Sequence, residues 1–338
     1  MYEARPDHGD ATAEYRAGRG GSGLIAGLSQ LVWITGGDVV TFLDGQLSQD
    51  LASMAPGGVA RSLLLEPRGK LVATMWVLRG EDRVGLVVDA GRAAGVVQRL
   101  DEFRFRVDVE VAIDDRLVWE VWGPRSGDVV ASAGWDPGPG WALHDDAVVA
   151  RLDAALLHRV IVVGGDPAAL EAAGARRIGT VAADTIRIET GEPVMGVDLD
   201  ESTIPQESGL VPVSVSFTKG CYVGQELVAR IDSRGRVNRR LVGVVLRTNV
   251  IPPVGAAIMA GDDHVGTVTT VGESLSLRAP VALAMVRREV ADRGAVEIRW
   301  DGGSAPATIR DLPLADSSAG VHTPLTPDDE AESGNTGA

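Results

Sequence analysis

The stretch that decides the fold runs from Val59 to Asp89 and reads "VARSLLLEPRGKLVATMWVLRGEDRVGLVVD". Three apolar runs are separated by Pro67-Arg68-Gly69 and by Gly80-Glu81-Asp82-Arg83. Breaks of that composition turn a chain back on itself, so the stretch reads as an antiparallel meander. Before it, Leu31–Ile34 reads as a strand. Asp38 reads as the N-cap of a helix whose apolar face is Val39, Phe42, Leu43 and Leu47. After it, 90–103 returns to a helical pattern, 117–123 and 158–165 read as strands, and a helix is expected near 124–133. Asp166 with Pro167 opens another short helix. Helices set between antiparallel strands define an α+β fold, not a doubly wound parallel sheet. No GxGxxG follows a strand, so no dinucleotide site is expected.

The texture changes near residue 239. Short apolar runs split by Gly, Pro and Asp replace the helical pattern, which predicts a small β-barrel or sandwich. The expected organisation is a flexible N-terminal tail at 1–22, two interleaved α+β subdomains at 23–236, a C-terminal β-barrel at 237–312 and a disordered tail at 313–338.

The chain has 338 residues and a net charge of −15, with 45% hydrophobic and 23% charged residues. Its acidity argues against nucleic-acid binding through the whole surface. No apolar run is long enough for a membrane span, and the polar start does not read as a signal peptide, so a cytoplasmic protein is expected. One cysteine allows no internal disulfide, and the five histidines lack metal-ligand spacing, so no metal site is expected.

The least generic part is 184–240. Asp184–Glu189 has helical spacing and stops at Gly191. Arg187 and Glu189 are two apart, so one can face a partner while the other points into a pocket. Residues 192–218 form a long patternless stretch with apolar anchors, read as an ordered binding loop. Then comes "KGCYVGQE", Lys219–Glu226, opening a helix. Cys221 would lie near that helix N-terminus and beside Lys219, both of which favour a thiolate. A functional thiol and a small buried hydrophobe are equally weighted readings. Lys219, Arg230, Arg234, Arg236, Arg239 and Arg240 form a basic cluster suited to an anionic ligand, or else a solvated linker.

These residues carry a resemblance. "DTIRIETGEP", "GVDLD", "IPQE" and "KGCYVGQE", with "GGDVVTFLDGQLSQDL" near the start, resemble the YgfZ-type folate-binding proteins, relatives of the glycine-cleavage T-protein (GcvT, aminomethyltransferase). The resemblance covers about residues 28–312. It implies a GcvT-like three-domain arrangement around a central channel, closed by a β-barrel. It implies tetrahydrofolate or a derivative in that channel, and an accessory role in assembling or repairing iron–sulfur enzymes, including those that modify tRNA. Partners would then be folate and iron–sulfur clients or assembly factors, with no membrane and no direct nucleic-acid contact. The family cysteine falls on Cys221, and the T-protein's folate-contacting glutamate falls on Glu189. Arg187, Lys219, Tyr222, Gln225, Arg230, Arg236 and Asp89 complete the expected binding set. Asp89 corresponds to a T-protein pocket asparagine, although a helix N-cap is the plainer reading of it. The T-protein's acidic pair is replaced by Ala73-Thr74. Aminomethyl transfer is therefore the alternative to the accessory role, and a non-enzymatic folate scaffold or sensor is the second.

Overall fold

The structure, a computed structural model, describes residues 4–154, 156–291 and 294–314. The chain opens with α1 (Ala11–Gly20), β1 (Gly23–Ala26), β2 (Ser29–Thr35) and α2 (Val39–Asp44). The meander follows as β3 (Val59–Leu65), β4 (Leu71–Arg79) and β5 (Arg83–Asp89), then α3 (Ala93–Asp101) and β6 (Glu110–Asp114). Strands β2 to β6 form one antiparallel sheet, ordered β3-β4-β5-β2-β6.

Next come β7 (Val118–Trp122), α4 (Ser126–Ser132), β8 (Trp141–Leu143), β9 (Ala147–Arg151), β10 (Arg159–Gly164), α5 (Pro167–Ala172) and β11 (Arg176–Arg177). These strands recruit β1 into a second sheet, ordered β11-β1-β7-β10-β9-β8. Only the β1–β11 pairing in it is parallel. The first sheet is thus inserted, in chain order, between β1 and the rest of the second.

The two sheets pack face to face, and the period of two in the strands explains how. On β2, Val32 and Ile34 point to the core under α2 and α3, while Leu31 and Trp33 point to the other sheet. On β4, Met75 and Val77 face the helices, while Trp76 and Leu78 face the sheet. Strands buried on both sides must be apolar at nearly every position, which is why the runs are continuous.

After β11, the helix α6 (Thr180–Thr190) ends at Gly191, whose φ of 75° is the left-handed cap that a glycine takes without steric cost. Short helices α7 (Pro205–Ser208) and α8 (Val211–Ser214) order the 192–218 stretch, and α9 (Gln225–Arg234) follows it. The rest is β12 (Arg239–Leu246), β13 (Ala257–Ala260), β14 (Asp263–Ser274), β15 (Ala279–Arg287), α10 (Arg288–Ala291), β16 (Ala295–Trp300) and β17 (Gly303–Arg310). These strands close into a barrel in the order β12-β15-β14-β13-β16-β17, sealed by β12 pairing with β17. The barrel rests on α6 at Gly272, where an added Cβ would lie 2.6 Å from Thr185 Oγ1 and 3.1 Å from its Cα. No side chain fits there, so strand and helix touch backbone to backbone.

The α+β expectation and the barrel match this architecture. Two local expectations change. The opening residues, expected to fray, hold α1, with Asp10 capping Ala13 N–H and Tyr15 buried against α6. Polar composition hid this helix because its ordering comes from a partner about 170 residues away, not from local periodicity. Asp38 does not cap α2 through its side chain; its carboxylate accepts from Asp108 N–H at 2.8 Å. Residues 315–338, most of the expected disordered tail, lie outside the described residues. No helix among the described residues is long and apolar enough to cross a membrane.

Candidate functional site

A cavity of about 500 Å³ opens where the two sheets splay apart. Its polar side chains arrive by simple periodicity. Arg61 on β3 pairs with Trp76 on β4, and Trp76 with Val87 on β5. Thr74, two residues before Trp76, shares its face, and Asp89, two after Val87, does the same. All of them stand on the side of the first sheet that meets the second. Arg159 enters from the start of β10. Helix α6 supplies Thr180, Ala183, Asp184 and Arg187, an i, i+3, i+4, i+7 stripe. The 192–197 loop and Thr269–Val271 of the barrel complete the wall.

Two carboxylates face each other in this space. Glu192 receives a two-pronged ion pair from Arg61, NH1–Oε2 3.0 Å and NH2–Oε1 2.5 Å. Arg159 NH2 is 3.8 Å from the same Oε1, and its NH1 is 3.4 Å from buried Glu120. Both guanidinium groups lie over the Trp76 ring, at 5.1 and 5.9 Å. Trp76 Nε1 and Arg159 Nε are buried donors without a protein partner among the described residues. A buried N–H without an acceptor costs of order 1–3 kcal/mol, so such donors fit a ligand that brings acceptors.

Asp89 is the deeper carboxylate. Its Oδ2 accepts from Met195 N–H at 2.8 Å and from Thr74 Oγ1 at 3.3 Å. Burial pushes its pKa from 3.8 up to about 6, with the nearby Glu192 adding to the rise, against the Met195 amide and the Arg159 and Arg61 charges. A carboxyl raised on folding favours the folded state fully below its unfolded pKa, and that contribution is lost as pH climbs through the folded value. Stability should therefore fall between about pH 4 and pH 6 through this group. The melting temperature of Asp89→Asn, measured against wild type from pH 4 to pH 7, is expected to gain on wild type as pH rises. A constant difference would place the Asp89 pKa near its ordinary value.

Of the sequence-predicted residues, the cavity brings together Arg187 and Asp89. The Asp89 side chain is not an N-cap: α3 begins at Ala93, and its preceding turn is closed by the Asp89 carbonyl accepting from Arg92 N–H. Arg187 is bound rather than open. It donates to Asp198 (2.6 Å), Asp184 (3.0 Å), Thr270 (2.9 Å) and the Glu192 carbonyl (3.2 Å). It shapes the wall more than it offers a free charge.

Glu189, expected as a ligand contact, lies outside this cavity. Two positions past Arg187, it faces away from the cavity and is 0% exposed. Its oxygens accept from Tyr15 (2.9 and 3.0 Å), Ser274 (2.5 Å) and Ser276 (3.0 Å), with Arg19 at 3.5 Å. These partners come from α1 and from the end of β14, so Glu189 ties three parts of the chain together.

The 219–236 residues are also elsewhere; none lines the cavity. Lys219 reaches the turn after α2, where Nζ donates to the carbonyls of Asp44, Leu47 and Gln49 and to Asp44 Oδ1. Tyr222 is packed in the core beneath the barrel, and burial raises its pKa to about 12. Gln225 is the first residue of α9. Cys221, Arg230 and Arg236 are exposed. The side chain of Arg234 lies outside the described residues. Arg239 pairs with Glu207 and Arg240 with Asp311. The basic cluster disperses because α9 and β12 point its members in different directions. Arg240 lines a neighbouring cavity of about 590 Å³, which shares Arg61, Trp76 and Glu192 with the first.

Sequence reasoning missed Arg61, Trp76, Arg159 and Glu192. Part of the signal was present, as Arg61 on β3 and as Thr74 and Trp76 at period two on β4, inside a meander otherwise apolar on that face. Of the Ala73-Thr74 pair, Ala73 points into the core under α2 and α3, while Thr74 faces the cavity and touches Asp89.

Residues 239–316 match the family described as the glycine cleavage T-protein C-terminal barrel domain. An aminomethyltransferase of Nostoc sp. is 27% identical, covering 91% of this chain and 88% of its own length. An aminomethyltransferase of Streptomyces coelicolor is 28% identical, covering 91% and 90%. The crystal structure of glycine cleavage system aminomethyltransferase T from Bartonella henselae superposes with a TM-score of 0.81 over 90% of this chain and 89% of that one, at 24% identity. The fold is the same, and the chain is similar to these aminomethyltransferases along nearly its whole length. The comparisons also overturn the accessory role in iron–sulfur metabolism as the leading reading, and they lend no support to iron–sulfur clients or tRNA-modifying enzymes as partners. The relatives named here are aminomethyltransferases along nearly the whole chain, which favours the alternative weighed beside that role.

Proposed function

We propose that this chain, GcvT-like in fold and superfamily, is a tetrahydrofolate-dependent aminomethyltransferase whose site is the cavity between the two sheets, α6 and the barrel. The observation that carries the reading is the donor and acceptor set in that space. Asp89 and Glu192 stand opposite Arg61, Arg159 and the unpartnered Trp76 Nε1. A reduced pterin has an amide-and-amine edge that a buried carboxylate binds through two hydrogen bonds. It has a flat ring that an indole face accepts. The glutamate tail of a folate carries carboxylates, and arginine forks match that geometry. When bound, tetrahydrofolate supplies the amine nitrogens that receive the one-carbon unit. The chain's own residues orient it, exclude water and move protons. The buried Glu192–Arg61 pair forms part of the wall, and Thr74 with Met195 N–H fixes the Asp89 carboxylate in one orientation.

Thr74 stands where a carboxylate would be expected for such a transferase, which gives a second reading, a folate-binding protein without turnover. The test separates the two. Tetrahydrofolate is titrated by calorimetry into wild type and Glu192→Ala, and ammonia release is followed with a lipoyl-linked aminomethyl donor. Saturable binding that weakens tenfold or more in Glu192→Ala, together with folate-dependent ammonia release, is the expected result. Binding without release supports the scaffold. No binding by wild type at millimolar tetrahydrofolate overturns both.

A further inference from the structure

The cavity lining contains no histidine, lysine, cysteine or tyrosine among the described residues. Any proton that moves near neutrality inside it has to travel on a carboxyl group or on the ligand. Four carboxylates bear on the space. Glu120 lies behind the wall, holding Ser29, Trp122 and Arg159. Burial raises the Asp184 carboxyl too, but Arg187 Nε is bonded to it and works against the rise. Glu192 is clamped by both guanidinium nitrogens of Arg61. With both its oxygens engaged by that one guanidinium, Glu192 is poorly placed to take a proton from a ligand. Asp89 is different. Its two described partners, Met195 N–H and Thr74 Oγ1, both reach Oδ2. No arginine is within ion-pair distance of it among the described residues.

We propose that Asp89 is the proton-carrying residue of this site, in place of a carboxylate at position 74. The inference rests on the aminomethyl-transfer reading. As the carboxylate, Asp89 Oδ1 takes the N–H proton that a folate amine must lose when its lone pair forms the new bond to the aminomethyl carbon. It returns that proton to the group displaced from the same carbon, whose bonding pair would otherwise leave as an anion. One bond forms, one breaks, one proton passes through Asp89, and the residue ends as it began. Thr74 suits this division. Its hydroxyl donates to one oxygen of Asp89 and leaves the other for the ligand, whereas a second carboxylate there would repel the first. The charged groups around Asp89 are Arg61 from β3, Arg159 from β10, Glu192 from the loop after α6, Arg92 at the start of α3, and Asp184 with Arg187 from α6. Burial lifts Asp89 toward neutrality, where a proton carrier works best.

The experiment uses the full chain and Asp89→Asn, which keeps the acceptor for Met195 N–H and Thr74. In the ligand-free protein, infrared difference spectra between pH 5 and pH 7 should show a protonated-carboxyl band in wild type that Asp89→Asn lacks. Tetrahydrofolate calorimetry in phosphate and in Tris, between pH 5 and pH 8, should show proton exchange on binding in wild type and none in the variant. Turnover in Asp89→Asn should fall between about 100- and 10,000-fold in kcat, a larger loss than the weakening of tetrahydrofolate binding in the same variant. A carboxyl band unchanged by Asp89→Asn, or kcat within fivefold of wild type, overturns the proposal. Failure of wild type to bind tetrahydrofolate at all overturns the functional reading instead, and the infrared band still decides whether Asp89 holds the proton.

Discussion

Arg187→Ala is expected to destabilise the protein by about 3–5 kcal/mol, the range measured when one partner of a buried ion pair is removed. Arg187 threads four groups together, and the Asp198 carboxylate it serves is fully buried. Without the guanidinium, Asp198 keeps Thr269, Thr270 and the Val194 amide, but no cation. Its charge would then lie in a site with little water, and the barrel would lose the bond from Thr270 to α6. The urea midpoint of Arg187→Ala reads the loss. Adding Asp198→Asn to the same chain should recover part of it, because the orphaned charge is gone. A loss below about 1 kcal/mol would mean that solvent reaches Asp198.

Lys219→Met is the second large effect, a loss of about 3 kcal/mol. The methionine keeps most of the apolar stem and removes the ammonium. The carbonyls of Asp44, Leu47 and Gln49 then face each other without a donor, and unsatisfied buried acceptors cost of order 1–3 kcal/mol each, offset in part by local relaxation and water. Thermal unfolding measures this. Tetrahydrofolate binding measured on the same variant separates two roles for the residue. An affinity within threefold of wild type is expected if Lys219 serves only the turn. Loss of binding by a folded Lys219→Met would return it to the ligand site.

The contrast between Lys219 and Arg61 shows what the sequence makes legible. Strands and their two-sided burial are written in the continuous runs of 59–89, because each residue's neighbours two positions away share its environment. The α6 stop at Gly191 is equally local. The barrel is visible as a change of texture. The site is different, because it is assembled from β3, β4, β5, β10, α6, a loop and β14, and no local window contains more than two or three of its members. A motif such as Lys219–Glu226 draws attention through its unusual residues. Its lysine, its tyrosine and Gly224 are spent on packing a turn and a core, as the bonds from Lys219, the burial of Tyr222 and the close approach of Gly224 to Leu65 and Glu66 record. Arg61 and Trp76 look like blemishes in an apolar pattern, and only the pairing register shows that they meet. Glu189 and Glu192 differ by three positions, yet the Gly191 turn sends one toward α1 and the other into the cavity. Their roles follow from that turn, which spacing alone does not show.

The bond between Tyr15 and Glu189 joins residues 174 positions apart. A ribosome adding about 5–20 residues per second would leave the first helix waiting about 10–35 s for its partner to be synthesised. Isolated helices of that length are marginal in water, so the nascent amino-terminal helix goes without this bond throughout that interval. Its many polar residues suit such a wait, since a segment that must linger outside the tunnel benefits from having little that sticks.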